Sequence, residues 1–343
     1  MLAAFTAAGG VATGEVPEPV PAEGQVLVAP LSAGICGSDL HLVDALAGLG
    51  DRTPRIVLGH EFCAEVLEAG PGTSRRFPPG TRVVSVPHVL GPSGAVDLGL
   101  SPDSPGGFAQ RAVLQESFLL RVPDGLADDH AALTEPLAVA VHAVRAARPA
   151  PGDVALVVGC GPIGLAVIAA LKADGHGPVV AADFSPARRA LAERLGADLV
   201  LDPAETSPYT RWAELGVIEQ PPSPLLGEGV TAGNVIAFEC VGAPGLIQQI
   251  VEGVPRHSRI VVVGVGIEPD TITPVSAILK EVSLTFVFAY RREEFAHALG
   301  LLAGGRVEAG PFVTGAVGLD GVAGAFAELR RPDGHVKIIV RPR

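Results

Sequence analysis

The stretch Gly34-Ile35-Cys36-Gly37-Ser38-Asp39-Leu40-His41, followed twenty-four residues after its cysteine by Gly59-His60-Glu61 and later by Thr134-Glu135-Pro136, gathers a thiol, imidazoles and carboxylates. These are the side chains that Zn2+ takes in a catalytic site, where the protein ligands leave one coordination position open for water or substrate. A second stretch, Gly159-Cys160-Gly161-Pro162-Ile163-Gly164, directly follows the apolar run Val154 to Val158 and has the spacing of a dinucleotide-binding turn. An open zinc site and a nicotinamide site in one chain together point to hydride transfer at an alcohol carbon.

In such a turn Gly159 permits the tight bend, Gly161 lets backbone amides approach a pyrophosphate, and Gly164 allows the following helix to pack closely on its strand. The N-terminus of that helix, opened by Pro162 and Ile163, adds unpaired N–H groups and a positive dipole end. Alone, the pattern fits an incidental tight turn equally well. The flanking strand and helix, and Asp183 at the end of the next strand, decide for a dinucleotide. Asp183 can accept hydrogen bonds from a ribose and would repel a 2'-phosphate, which favours NAD over NADP. Its alternative is an ordinary cap for the helix that begins Ser185-Pro186. Arg188 and Arg189 weaken the exclusion, because a nearby arginine can accommodate that phosphate.

A lone cysteine such as Cys36 is more often a small buried apolar residue than a ligand, and a lone His60 more often a core residue. Their flanks shift the balance, since glycine beside each lets backbone crowd the site and the polar neighbours can orient the ligands. Cys63 follows His60 by three residues, an offset that points to the opposite face of a strand, so it is read as core. Cys160 and Cys240 are read as small residues at strand ends. Four cysteines with no Cys-x-x-Cys pair argue against a disulfide framework and cannot build a four-thiolate structural zinc lobe. His88, His130, His142, His176, His257 and His335 show no partner pattern and are assigned surface or packing roles.

Positioning these residues falls to two kinds of architecture. The first 140 or so residues alternate short β-branched runs with Pro and Gly turns: Gln25 to Val28, Cys63 to Glu68, Thr81 to Val86 and Phe108 to Leu114. That predicts a mostly-β domain, with Pro87 to Gly107 as a surface lobe or loop. From Pro149, strands are expected at Val154–Val158, Val179–Asp183, Leu199–Leu201, Val235–Glu239, Arg259–Val265 and Ser283–Phe288. Helices are expected at Ile163–Lys172, Pro186–Leu195, Leu246–Val254 and Glu293–Leu302. This alternation implies a parallel sheet covered on both faces. Tyr209 to Gly233 reads as a long surface connection, and the last forty residues as a return to the β domain.

At 343 residues the chain can bury two ordinary cores. A formal charge of −12 without a basic patch argues against a nucleic-acid partner. Met1 to Gly10 lacks the start of a secretion signal, so a cytoplasmic enzyme is expected. Val154 to Leu171 is long enough to suggest a membrane span, but its internal glycines and proline favour strand, turn and helix.

The motifs Gly34 to His41, Gly59 to Glu61, Gly107-Phe108-Ala109, Glu135 to Ala143, the glycine turn, Phe238 to Gly242 and Val263 to Gly266 span nearly the whole length. Through them the chain resembles a zinc-dependent medium-chain dehydrogenase/reductase of the sorbitol and threonine dehydrogenase branch. The resemblance implies a doubly wound Rossmann domain, residues 146–289, and a GroES-like catalytic domain, residues 1–145 completed by 290–343. It implies Cys36 and His60 as ligands of one catalytic zinc, with Glu61 or Glu135 as the carboxylate ligand or holder of its water. Asp39 would support a ligand imidazole, and Ser38 and His41 would begin and end a proton relay. NAD would sit on Gly159, Gly161, Pro162, Ile163, Gly164 and Asp183, with Arg188 close by. Many members carry a four-cysteine zinc lobe in the region matching Pro87 to Gly107, and this chain has no cysteine there, so no second zinc is expected. The expected activity is oxidation of a secondary alcohol, diol or polyol by a homodimer or homotetramer. An NADPH-dependent aldehyde or ketone reductase and a non-catalytic zinc- and nucleotide-binding regulator remain as alternatives.

Overall fold

The computed structural model describes residues 1–91, 94–219, 231–232, 234–331 and 334–343. Val154–Val158 is buried at all five positions, and so is Val235–Glu239. A continuous apolar run of this kind marks a parallel strand covered on both faces, where an exposed face would impose alternation. Six parallel strands follow the order Leu199–Leu201, Val179–Ala182, Val154–Val158, Val235–Glu239, Arg259–Val262, Ser283–Phe286. Numbered along the chain this is 3-2-1-4-5-6, the doubly wound arrangement, whose order reverses between Val154–Val158 and Val235–Glu239. Helices Pro162–Ala173, Pro186–Arg194, Leu246–Gly253 and Arg292–Ala303 stand within two residues of their expected ends. The first two carry proline in their opening turn, where its missing N–H costs nothing.

In the β-rich part, Gln25–Gly34 is the organising strand. It pairs antiparallel with Glu61–Ala69, with Ala112–Gln115 and, through Ala33 and Gly34, with Lys337–Val340 near the C-terminus. The end of the chain therefore does rejoin the β sheet. Phe62, Ala64, Val66, Leu114, Leu119 and Val340 fill the core beneath it.

Several elements differ from the sequence reading, among them the unexpected helices Pro274–Lys280 and Val322–Leu329. The Pro87 to Gly107 region is not a bare loop: His88–Gly91 and Gly94–Asp97 pair as a hairpin, and Val89 and Leu98 reach the core. Two helices, Gly37–Leu46 and Thr134–Ala147, lie in the part expected to be mostly β. Each carries residues read as chemical at its start, Ser38 and Asp39 in the first and Glu135 in the second. The Tyr209 to Gly233 connection falls partly outside the described residues; within them, Ala213–Leu215 forms a short turn of helix and Trp212 donates from its indole to the Gly253 carbonyl at 3.1 Å.

The chain divides into two compact units, residues 1–136 with 295–343, and residues 137–294. The first holds the thiol, imidazole and carboxylate motifs and the second holds the glycine turn.

Candidate active site

Cys36 is the N-cap of helix Gly37–Leu46, with extended φ and ψ. Asp39, in the first turn and fully buried, accepts a hydrogen bond from the Cys36 N–H through Oδ2 at 2.9 Å. Its other oxygen faces Nδ1 of His60 at 3.5 Å, and neither of those buried atoms has a hydrogen-bond partner of its own. One carboxylate thus positions both the thiol-bearing turn and the imidazole. Burial alone would keep the His60 ring neutral, but Asp39 and Cys36 outweigh it and raise its pKa well above the ordinary histidine value. The second ring nitrogen, Nε2, lies 3.3 Å from Ser38 Oγ. Gly59 explains the entry to His60: its φ is +95°, and a Cβ there would stand 2.5 Å from the Phe108 ring.

Glu61 is fully buried and sits at the start of strand Glu61–Ala69. Both its oxygens accept from the Lys337 ammonium at 2.7 Å, and the same ammonium donates to the Ile35 carbonyl at 3.0 Å. A Cβ on Gly34 would come within 2.2 Å of the Glu61 carboxylate, so the glycine of the first motif makes room for the acid of the second. Burial would strip the proton from Lys337, yet Glu61, with Cys36 and Glu135, holds its pKa above the ordinary lysine value. Sequence reasoning missed Lys337. Its signal was a lone cation inside the apolar terminal run Val336 to Val340.

One ligand atom from each of Cys36, His60 and Glu61 lies within 4.8 Å of the others. This sulfur, nitrogen and oxygen set suits zinc, and the Asp39 carboxylate behind His60 is the partner that fixes a ligand imidazole's orientation. Glu135 opens helix Thr134–Ala147, half-buried, and lies outside that three-residue group, although its charge reaches Lys337. His41 is exposed, one helical turn beyond Ser38. Cys63 is buried against Asp128 and apart from the group, and burial drives its thiol pKa far upward. Burial likewise pushes the Cys160 thiol up to about 12. Of the histidines read as showing no partner pattern, four face a carboxylate: His88 with Asp97 at 2.8 Å, His142 with Glu294 at 2.9 Å, His335 with Glu328 at 3.5 Å and His257 with Glu281 at 3.8 Å.

At the glycine turn, a Cβ on Gly164 would strike the Gly159 carbonyl at 1.8 Å, so close helix packing demands glycine there. Gly161 is different: its φ of −69° suits any residue and a Cβ would meet nothing within 4 Å. The protein's own packing does not require that glycine, whereas a pyrophosphate laid against the helix N-terminus does. Asp183 accepts from the Cys160 N–H at 2.7 Å and the Ser185 N–H at 2.8 Å, tying the turn to the next strand. Ser185 itself caps helix Pro186–Arg194. Arg189 is held by the carbonyls of Asp183 and Phe184 and by Asp202, while Arg188 stands 4.0 Å from Asp183 with a buried, unpartnered Nε.

Residues 22–124 match the family model for the alcohol dehydrogenase GroES-like domain, and residues 162–304 that for zinc-binding dehydrogenases. The chain is 34% identical to (R,R)-butanediol dehydrogenase of Bacillus subtilis (strain 168), covering 95% of each chain. It belongs to the zinc-dependent medium-chain dehydrogenase/reductase family. A second member, sorbitol dehydrogenase of Gallus gallus, is 31% identical over 95% of this chain and 91% of its own. Among solved structures of the family, 2R,3R-butanediol dehydrogenase from Bacillus subtilis superposes with a TM-score of 0.83 at 31% identity, over 100% of this chain and 99% of that one.

The buried Lys337–Glu61 pair gives the first prediction. Lys337→Met leaves a carboxylate uncompensated and is expected to lower unfolding stability by about 3–5 kcal/mol, whereas the Lys337→Met/Glu61→Gln double variant recovers most of it. Urea unfolding of the metal-free proteins measures both.

Proposed function

We propose that this enzyme oxidises secondary alcohols, vicinal diols or polyols to ketones, with NAD and one zinc per chain. The observation that carries the reading is the convergence of Cys36, His60 and Glu61 beside the Ser38 hydroxyl. The names of the similar proteins, a butanediol and a sorbitol dehydrogenase, supply the substrate class. Bound zinc supplies the Lewis acid that makes the alcohol proton leave, and bound NAD the hydride acceptor. Cys36 and His60 would hold the metal, with Glu61, which lies in the same group, or Glu135 as the carboxylate. Asp39 keeps the His60 ring oriented with Nε2 turned toward Ser38. Ser38 relays the substrate proton, accepting it at Oγ as it releases its own hydroxyl proton toward exposed His41 on the same helix, from which the proton exchanges with solvent.

The deciding experiment is an NAD-reduction screen over secondary alcohols, vicinal diols, polyols and threonine, run beside elemental analysis. One zinc per chain and turnover of diols or polyols are expected. Two zincs, or no turnover of any alcohol, would overturn the reading. Cys36→Ser should lose metal and activity together, and Cys63→Ser neither.

Ser38→Ala and His41→Ala are expected to retain zinc and NAD while slowing oxidation, by on the order of a hundredfold. The loss should be greatest at low pH, where the proton leaves against the gradient. Unchanged rates across the pH range would remove both residues from the relay.

NAD is the assigned cofactor, and an NADPH-dependent reductase is the second reading, kept because Arg188 has an unpartnered nitrogen beside Asp183. A 2'-phosphate set about 4 Å from that carboxylate costs roughly 4 kcal/mol at an effective dielectric of about 20. Asp183→Ser should therefore weaken NAD and improve NADP. Arg188 is the expected phosphate partner, because Arg189 is already engaged. A higher kcat/KM for NADP in the unmodified protein would reverse the assignment.

The proposal includes a homodimer formed along the sheet edge. Ser283–Phe286 is the last strand of the sheet, and Phe286 and Phe288 beside that edge are 65% and 91% exposed. Light scattering after gel filtration tests it. No described helix is long and apolar enough to cross a membrane, and a cytoplasmic setting accords with this chemistry.

A further inference from the structure

The second unit carries an open cavity of about 860 Å³ away from the glycine turn. Its floor is one face of two neighbouring strands: Arg259 pairs with Ser283 and Val261 with Thr285, and alternation sends all four side chains the same way. The opposite face, with Ile260, Val262 and Leu284, is packed into the apolar core. One wall is the end of helix Thr134–Ala147, with His142, Arg145 and then Arg148. The other is Arg291 and the start of helix Arg292–Ala303.

Four arginines thus line one cavity in a chain whose net charge is −12. Arg259 is held rigidly by Asp153 and by the carbonyls of Ala147 and Arg148, which occupy three of its five donors. Glu294 is not available to neutralise the rest. It is buried, accepting from the Arg291 N–H at 2.7 Å and facing His142 at 2.9 Å, with Arg145 at 3.8 Å. The guanidinium groups of Arg148 and Arg291 have no ion-pair partner among the described residues, and Glu293 is the one further acid in the lining. Two free guanidinium groups on facing walls, a fixed third and a floor bearing the Ser283 and Thr285 hydroxyls make an arrangement for a multiply charged oxyanion. The volume is that of a small-metabolite pocket.

We propose that this cavity is a second ligand site, separate from the dinucleotide turn, for a phosphorylated metabolite bridging Arg148 and Arg291.

The test is calorimetric titration of the zinc-loaded enzyme with inorganic phosphate, pyrophosphate and ATP, and with citrate as a carboxylate control. Saturating NAD is present throughout, to fill the cofactor turn. Pyrophosphate or ATP is expected to bind, and Arg148→Gln/Arg291→Gln to weaken it at least tenfold with NAD affinity unchanged. Glu293→Gln, which removes the opposing charge, should tighten it. No binding in the presence of NAD overturns the site. Equal affinity in the double-arginine variant moves the ligand elsewhere and also overturns it, and binding of citrate alone overturns the phosphate class.

Discussion

The buried ion pair between Glu61 and Lys337 is the constraint on which the catalytic unit depends. A carboxylate and an ammonium with almost no exposure are each costly to bury, and they are tolerated because each satisfies the other. The pair also does topological work. Lys337 begins a strand near the C-terminus that pairs beside Gly34, and its ammonium reaches past that glycine to Glu61 and to the Ile35 carbonyl. The final segment of the chain is thereby fixed against the loop that presents Cys36. A metal held at Cys36, His60 and Glu61 would share the Glu61 carboxylate with this lysine.

Asp39 provides a comparable economy on the other side of the site. It caps its own helix through the Cys36 N–H and steadies His60, so helix geometry and ligand geometry cannot drift independently. In the second unit Asp183 does the same, holding the glycine turn through Cys160 and the start of the next helix through Ser185. Each of these acids was legible in the sequence as a site residue. Asp39 as support for an imidazole and Asp183 as a possible cap near Ser185 were legible too, but the hydrogen bond from the Cys160 amide to Asp183, across 23 residues, leaves no pattern in composition or spacing.

The parallel sheet was readable with strand ends up to three residues off, since fully buried strands such as Val154–Val158 and Val235–Glu239 are continuous apolar runs. Helices Gly37–Leu46 and Thr134–Ala147 were not read, although the chemistry at their N-termini was. Lys337 escaped for a different reason: its meaning resides in a partner 276 residues away. The carboxylate partners of His88 and His142 were hidden likewise, by a hairpin and by a separation of 152 residues.

The hairpin of His88–Gly91 and Gly94–Asp97 stands where many relatives place four cysteines around a metal. Here the lobe is closed by backbone pairing, by the His88–Asp97 contact at 2.8 Å, and by Val89 and Leu98 in the core. The charge of Glu61 is likewise met by Lys337. Backbone pairing, apolar burial and an ion pair between two protein groups are therefore what hold these regions in place.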